Sequence, residues 1–180
     1  MIHDKEYIIR IEGSHEKNDV CFLTLQIKNT RAVFDIALRD LCLYKHLLCN
    51  IAPSQLIEIG HLHKNEELKI KKVGDINILK KLLNFIEKIF LRKFKTSIPS
   101  NTKPYSLRIA DHKVENNDLM LRLLINGTHR TFELSLFDLK KDFNLIGNIQ
   151  PEDLIRIGYI AKEEELKAGL KLPPITQGER

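Results

Sequence analysis

Hydrophobic and polar residues alternate along the first part of the chain, the pattern expected of β-strands with one buried face. Residues 7–12 form the first such stretch and residues 20–28 the second. The apolar face of the second stretch, which we expect in the core, carries Cys21, Leu23, Leu25 and Ile27. Residues 13–18 are polar and predict a loop between the two strands, and a third strand is predicted over residues 32–36.

The same pattern returns 98 residues further along the chain. Residues 51–68 read IAPSQLIEIGHLHKNEEL, and residues 149–166 read IQPEDLIRIGYIAKEEEL. Carried back without a gap, this offset pairs residues 5–70 with residues 103–168 and gives 26 identities over 66 positions, where shared composition alone gives roughly one in fifteen. We interpret the recurrence as an internal duplication.

Turn residues separate the second and third predicted strands of each copy. Asn126-Gly127 lies between two β-rich runs and predicts a hairpin, because both residues tolerate positive φ. Lys28-Asn29 is the weaker counterpart in the first copy.

The period changes from strand to helix after the third strand. Ser135 with Asp138 three residues later predicts a helix N-cap, and Asp40 takes the same first-turn position in the first copy, where Ala37 replaces the serine. We expect helices of about ten residues here, ending near Asn50 and Asn148.

A second helix is predicted in each copy, over residues 53–60 and 151–158. Pro53 and Pro151 suit the first turn of a helix, and Gly60 and Gly158 are expected to end it. The alternative is a strand, since apolar residues also alternate there.

Residues 75–95 have no duplicate and predict one long amphipathic helix between the copies. We therefore expect an α+β protein made of two tandem β-β-β-α-α repeats with approximate two-fold symmetry, joined by this helix. The predicted boundaries are 1–72 for the first repeat, 73–102 for the connector helix and linker, 103–170 for the second repeat and 171–180 for a flexible tail. Each copy is small for an independent core, so we expect the two repeats to pack as one unit.

Charge is concentrated in the connector. Residues 69–95 carry nine positive and two negative side chains, a net +7, whereas the rest of the chain carries −2. Four of the positive residues fall on one helical face: Lys81, Lys88, Arg92 and Lys95. This face is a candidate for binding nucleic acid, an anionic surface or an acidic protein. The simpler interpretation is a solvated face on a helix that holds the repeats together.

The three cysteines favour reduced thiols in a cytosolic protein, since they are odd in number and do not recur in the second copy. No signal peptide or transmembrane segment is expected. Cys42, His46 and Cys49 share a predicted helical face and form a weak candidate metal set, with a packing face that contains thiols as the favoured alternative.

Arg10 and Arg108 occupy equivalent strand positions that point away from the core row. If a two-fold axis brings them together, they form an anion clamp. The alternative is that each pairs with a neighbouring acid.

No nucleophile elbow, phosphate-binding glycine loop or metalloprotease motif occurs in the chain, so no catalytic residue and no cofactor are predicted. The leading hypothesis is a non-enzymatic protein-binding or adaptor module, with exposed strand edges and the bridging helix as contact surfaces. Two alternatives remain open at this point. They are nucleic-acid binding through the connector helix, and a ligand sensor or enzyme with a pocket between the repeats.

Overall fold

The computed structural model describes residues 8–41, 43–73 and 106–169, which contain two three-stranded antiparallel sheets. The first sheet has the order β1-β2-β3, with β1 at Ile9–Lys17, β2 at Val20–Ile27 and β3 at Val33–Ala37. The second has the order β4-β5-β6, with β4 at Leu107–Glu115, β5 at Asp118–Ile125 and β6 at Thr131–Ser135. We refer to residues 8–73 as the first half and to residues 106–169 as the second half.

Three helices follow each sheet within the described residues. In the first half they are α1 at Leu38–Leu41, α2 at Lys45–Leu48 and α3 at Pro53–Val73. In the second half they are α4 at Leu136–Lys141, α5 at Phe143–Asn148 and α6 at Pro151–Ala168. The predicted α+β class is confirmed, although each half has three helices where two were expected. The predicted connector helix lies outside the described residues.

The predicted loop at residues 13–18 is wrong, because β1 continues through them to Lys17. The register of β1 on β2 shifts between Ile11 and Gly13, a bulge that lets the strand continue after its apolar part ends. A turn at Asn18 and Asp19, with φ of 51° and 59°, then closes the hairpin directly. Two residues with positive φ match the twist of antiparallel strands, so no longer loop is needed.

The hairpin turns between the second and third strands form where they were predicted. Gly127 has φ of 77° and Asn29 has φ of 64°. In both turns a threonine hydroxyl, from Thr30 or Thr128, donates to the carbonyl at the end of the preceding strand over 2.8 Å.

The single helix predicted up to Asn50 and Asn148 is replaced in each half by two short ones. Ser135 caps α4 as expected, because its Oγ accepts the backbone N–H of Asp138 over 3.0 Å. Asp142 ends α4 and caps α5 by accepting the backbone N–H groups of Asn144 and Leu145. An aspartate that accepts these two donors starts a new helix, which explains the break.

The helices that start at Pro53 and Pro151 are confirmed, but they do not end at Gly60 and Gly158. Both glycines lie inside continuous helices, α3 and α6. Instead of Gly158, Gly169 ends α6, as a left-handed residue with φ of 63°.

The core lies between the sheets and the long helices. Leu23 and Leu25 are fully buried, as the alternation predicted, and Leu121 and Leu123 are their equivalents in β5. The apolar face of the long helices packs in the same cluster through Ile57, Ile59, Ile155 and Ile157. Both halves therefore contribute to one hydrophobic core.

Candidate functional site

The two halves meet where α3 crosses α6. A Cβ atom added to Gly60 would lie 2.0 Å from the carbonyl oxygen of Ile155, and one added to Gly158 would lie 1.9 Å from that of Ile57. The helix backbones therefore touch at this crossing, as they do where small residues line a helix pair. No space for a ligand remains at this point between the halves.

A buried polar network extends the helix contact beyond the glycines. The Nζ atom of Lys64 donates to Glu67 Oε2 over 3.1 Å, to the Tyr159 hydroxyl over 3.1 Å and to Glu163 Oε1 over 3.2 Å. Lys64 and Glu67 are only 6% and 2% exposed. Tyr159 and Lys71 also donate to Glu67. Each charge has an opposite partner, which is the condition for burying it at tolerable cost.

Hydrogen bonding in this network sets the ionisation of Glu67. Burial alone would raise its pKa, but the hydrogen bonds from Lys71, Tyr159 and Lys64 hold the pKa below its ordinary value. Burial and the contact with Glu67 raise the pKa of Tyr159, so the phenol stays protonated. These groups link α3 to α6 across the contact between the halves.

The outer edge of β1 is covered by the chain that leads into α3. The backbone N–H of Ile9 donates to the carbonyl of Asn50 over 3.1 Å, and Ile9 forms a parallel bridge with Ile51. The Gln55 side chain then accepts the N–H of Ile11 and donates to its carbonyl, each over 3.2 Å. The part of this edge from Ile9 to Ile11 is therefore closed to another strand.

The outer edge of β3 pairs with no other strand among the described residues. The N–H of Ile27 donates to the carbonyl of Ala32, so alternation along the ladder turns the backbone groups of Val33 and Asp35 outwards. Val33 is 54% exposed. Asp35 is exposed as well, and its carboxylate accepts the Thr24 hydroxyl over 2.8 Å. Within the described residues, the β3 edge thus presents backbone donors and acceptors that no strand pairs.

A shallow groove of about 580 Å³ lies beside this edge. One wall consists of β3 residues, including Phe34 and Ile36, and the other is the α1–α2 segment with Tyr44, His46 and Leu47. Arg39 and Asp40 also line it, so both signs of charge are present. An open groove with an apolar lining and a free strand edge together suit an extended chain better than a compact small molecule.

The equivalent region of the second half has a different surface. Asp142 stands where the first half has Tyr44, and Phe143 stands in place of Lys45 and is 84% exposed. Phe137 is exposed too, with Lys141 Nζ 3.6 Å above its ring. The groove residues are therefore only partly repeated beside β6: Phe34 and Leu47 keep identical counterparts in Phe132 and Leu145, whereas Tyr44 does not.

The structure places Arg10 and Arg108 beside carboxylates of their own halves. Arg10 is exposed and lies 3.6 Å from Glu12. Arg108 is half-buried, and its charge acts on Asp153. This arrangement agrees with the ion-pair interpretation, and the anion clamp stays a prediction.

Of the candidate metal set, His46 lies in α2 and Cys49 is the residue that caps its C-terminus. Cys42 lies outside the described residues, and both His46 and Cys49 are exposed, so a packing face at these two positions is wrong. No three histidine, cysteine or acidic side chains converge as metal ligands within residues 8–41, 43–73 and 106–169.

The basic candidates Lys81, Lys88, Arg92 and Lys95 also lie outside the described residues. Of the basic residues that precede them, Lys69 pairs with Glu16 over 2.6 Å and Lys71 pairs with Glu67.

Comparison with known proteins gives no relative: no protein-family model, no curated protein and no solved structure matches the chain. None of the helices that the structure describes has both the length and the apolar character needed to span a membrane.

Sequence reasoning missed the groove residues Tyr44 and Leu47. One helix of about ten residues was predicted up to Asn50, and in that helix Tyr44 and Leu47 would lie on a different face from the groove residue His46. The tyrosine that follows a broken helix could have indicated an exposed aromatic, but only if the break itself had been recognised.

Proposed function

We propose that this chain is a non-enzymatic protein-binding module that captures an extended segment of a partner protein along the free edge of β3. The observation that carries the proposal is the outward-facing backbone of Val33 and Asp35 beside an apolar groove. An added strand gains main-chain hydrogen bonds from such an edge, and its alternate side chains enter the adjacent groove.

The contrast between the two edges of the first sheet supports the proposal. Proteins usually protect exposed strand edges against unwanted pairing. Here the start of β1, at Ile9 and Ile11, is covered by Ile51 and Gln55, whereas β3 pairs with no other strand among the described residues. The β3 edge therefore offers a partner strand backbone hydrogen bonds next to the groove.

We also propose that the two halves descend from one duplicated unit and are related by approximate two-fold symmetry. The support is that strand pairing repeats with the same 98-residue offset: Ile9 pairs with Ile27 and Leu107 with Ile125, and Phe22 pairs with Ala37 and Met120 with Ser135. The groove residues Arg39, Tyr44 and His46 differ from their counterparts in the second half. We therefore expect one partner segment per chain, bound by the first half.

The proposal is tested with peptides selected from a random library displayed against the full chain. Asp35→Pro removes the outward N–H at the centre of the edge, a change that an edge strand tolerates. The variant loses one backbone hydrogen bond to the peptide, and the proline ring keeps the peptide from approaching closely. Binding should therefore weaken by about tenfold or more. Fluorescence anisotropy with the labelled peptides measures the change.

Two control variants distinguish the loss of the Asp35 N–H from the loss of its carboxylate and from the same change in the second half. Asp35→Ala keeps the N–H while removing the carboxylate, and Glu133→Pro makes the equivalent change in β6; both should bind the peptides as the unmodified chain does. Tyr44→Ser should weaken binding through the groove. Peptides that bind Asp35→Pro as tightly as the unmodified chain, or a library that yields no binder, would contradict the proposal.

A further inference from the structure

In each half, a side chain from the first turn of the long helix contacts the backbone of the first strand, and we call this contact the joint. The joint differs in chemistry between the two halves. In the first half the neutral amide of Gln55 meets both backbone groups of Ile11, accepting from the N–H and donating to the carbonyl. The equivalent residue of the second half is Asp153, in the first turn of α6. A carboxylate accepts hydrogen bonds but cannot donate one.

Asp153 repeats half of the Gln55 arrangement. The backbone N–H of Ile109, the equivalent of Ile11, donates to its carboxylate. The side chain is buried, with 7% of its surface exposed. Its Oδ2 atom has no hydrogen-bond partner among the described residues. A buried carboxylate oxygen without a donor is costly while the group is ionised.

The charges around Asp153 act in both directions. Arg108 on β4 and Arg156 on α6 favour the ionised form, as does its place in the first turn of a helix, whereas Glu152 disfavours it. Burial outweighs them and raises the pKa of Asp153 to about 6.

We infer that Asp153 is a proton-binding site at the joint of α6 and β4, and that its protonated carboxyl donates to the carbonyl of Ile109 as the amide of Gln55 does to Ile11. Binding the proton completes the pair of hydrogen bonds and removes a buried charge. The second half thus contains a joint that strengthens in mild acid, while the first half holds the same joint at any pH. The inference does not depend on the proposed function.

The sign of the effect follows from the two pKa values. The folded value, about 6, lies above the ordinary aspartate value of 3.8, so folding takes up a proton between them. The stabilisation is complete below pH 3.8 and is lost as the pH rises through about 6. A difference of roughly two pH units corresponds to about a hundredfold change in the folding equilibrium.

Two measurements on the full chain test the inference. The carboxyl ¹³C resonance of Asp153 should titrate near pH 6 in the unmodified protein, with no substitution required. Asp153→Asn supplies a neutral donor, so its folding equilibrium relative to the unmodified chain should rise about a hundredfold between pH 4 and pH 7.5. Using the ratio cancels the titration of other groups, such as the buried His61 and His63.

A matched control is Glu152→Gln, which removes the neighbouring first-turn carboxylate and should keep the pH dependence. An Asp153 resonance that titrates at or below the ordinary value of about 4 would overturn the inference, because the carboxylate would then be held as an ion by Arg108 or Arg156. An unchanged pH profile in Asp153→Asn would overturn it as well.

Discussion

Gly60 and Gly158 lie where the backbones of α3 and α6 touch, and each sits against a carbonyl of the opposite helix. Glycine lowers helix stability when nothing requires it. At this crossing it lets two long helices approach more closely than any side chain would allow. The hydrophobic residues on either side, Ile57 and Ile155, then pack across the contact in the common core.

Replacing Gly60 with alanine should therefore destabilise the fold, because the new Cβ would lie 2.0 Å from the carbonyl oxygen of Ile155 and the helices must separate. We expect the free energy of unfolding to fall by about 3 kcal/mol or more. Urea denaturation followed by circular dichroism measures it.

Gly147→Ala is the matched control, since no atom lies within 4 Å of the Cβ that it adds inside α5. It should change the free energy of unfolding by less than about 1 kcal/mol. A Gly60→Ala variant as stable as this control would show that the helices do not touch at the glycines.

The role of these glycines could not be predicted from their positions alone. The sequence predicts where Pro53 and Pro151 start the helices, because a proline acts on its own turn. Whether a glycine stops a helix or accommodates a neighbour depends on a chain segment about a hundred residues away. The local sequence pattern therefore does not predict which of these two roles a glycine has.

At the scale of elements, the caps explain why the two halves differ. Ser135 accepts the N–H of Asp138 and donates to its carboxylate over 3.0 Å, a reciprocal cap, and α4 runs from Leu136 to Lys141. Ala37 has no side-chain oxygen that could cap α1, which starts at Leu38. This difference was predictable, since a cap depends on residues three apart.

Exchanging the cap residues should move stability in opposite directions. Ser135→Ala should lower the free energy of unfolding by about 1 kcal/mol, and Ala37→Ser should raise it by up to about 1 kcal/mol, because Asp40 is in place to complete the new cap. Thermal unfolding of both variants measures the two shifts. Two neutral substitutions would show that the caps do not stabilise these helices.

The strands were predicted more closely than the short helices. Alternation identified the buried row of Leu23 and Leu25, and Asn-Gly placed the hairpin at residues 126–127. The bulge after Ile11 was missed, because a register shift depends on the partner strand. The break at residues 43–44 was missed because no proline or glycine marks it.

At the scale of the whole molecule, the arrangement of edges decides which surface can bind. The segment from Asn50 to Gln55 covers β1, and the equivalent segment in the second half reaches β4, where Leu107 bridges Ile149. That leaves β3 and β6 as the outer strands among the described residues. The groove residues Tyr44 and His46, which are Asp142 and Asn144 in the second half, then distinguish the first of these two edges.

The prediction of exposed strand edges as contact surfaces was possible from the hairpin pattern, but the choice of edge was not. It depends on how residues 50–55 return to β1, a contact between segments about 40 residues apart in the chain. Strand propensity carries no information on such pairing.

Hydrogen exchange at the edge amides, measured by NMR with and without a saturating library-selected peptide, tests the central claim most directly. Strand addition at β3 should slow exchange at the amides of Val33 and Asp35 by about tenfold or more, because each amide then donates a hydrogen bond to the peptide strand. Exchange at the equivalent amides of Thr131 and Glu133 should stay unchanged. Peptide binding that leaves the Val33 and Asp35 amides as exchangeable as before would contradict the account.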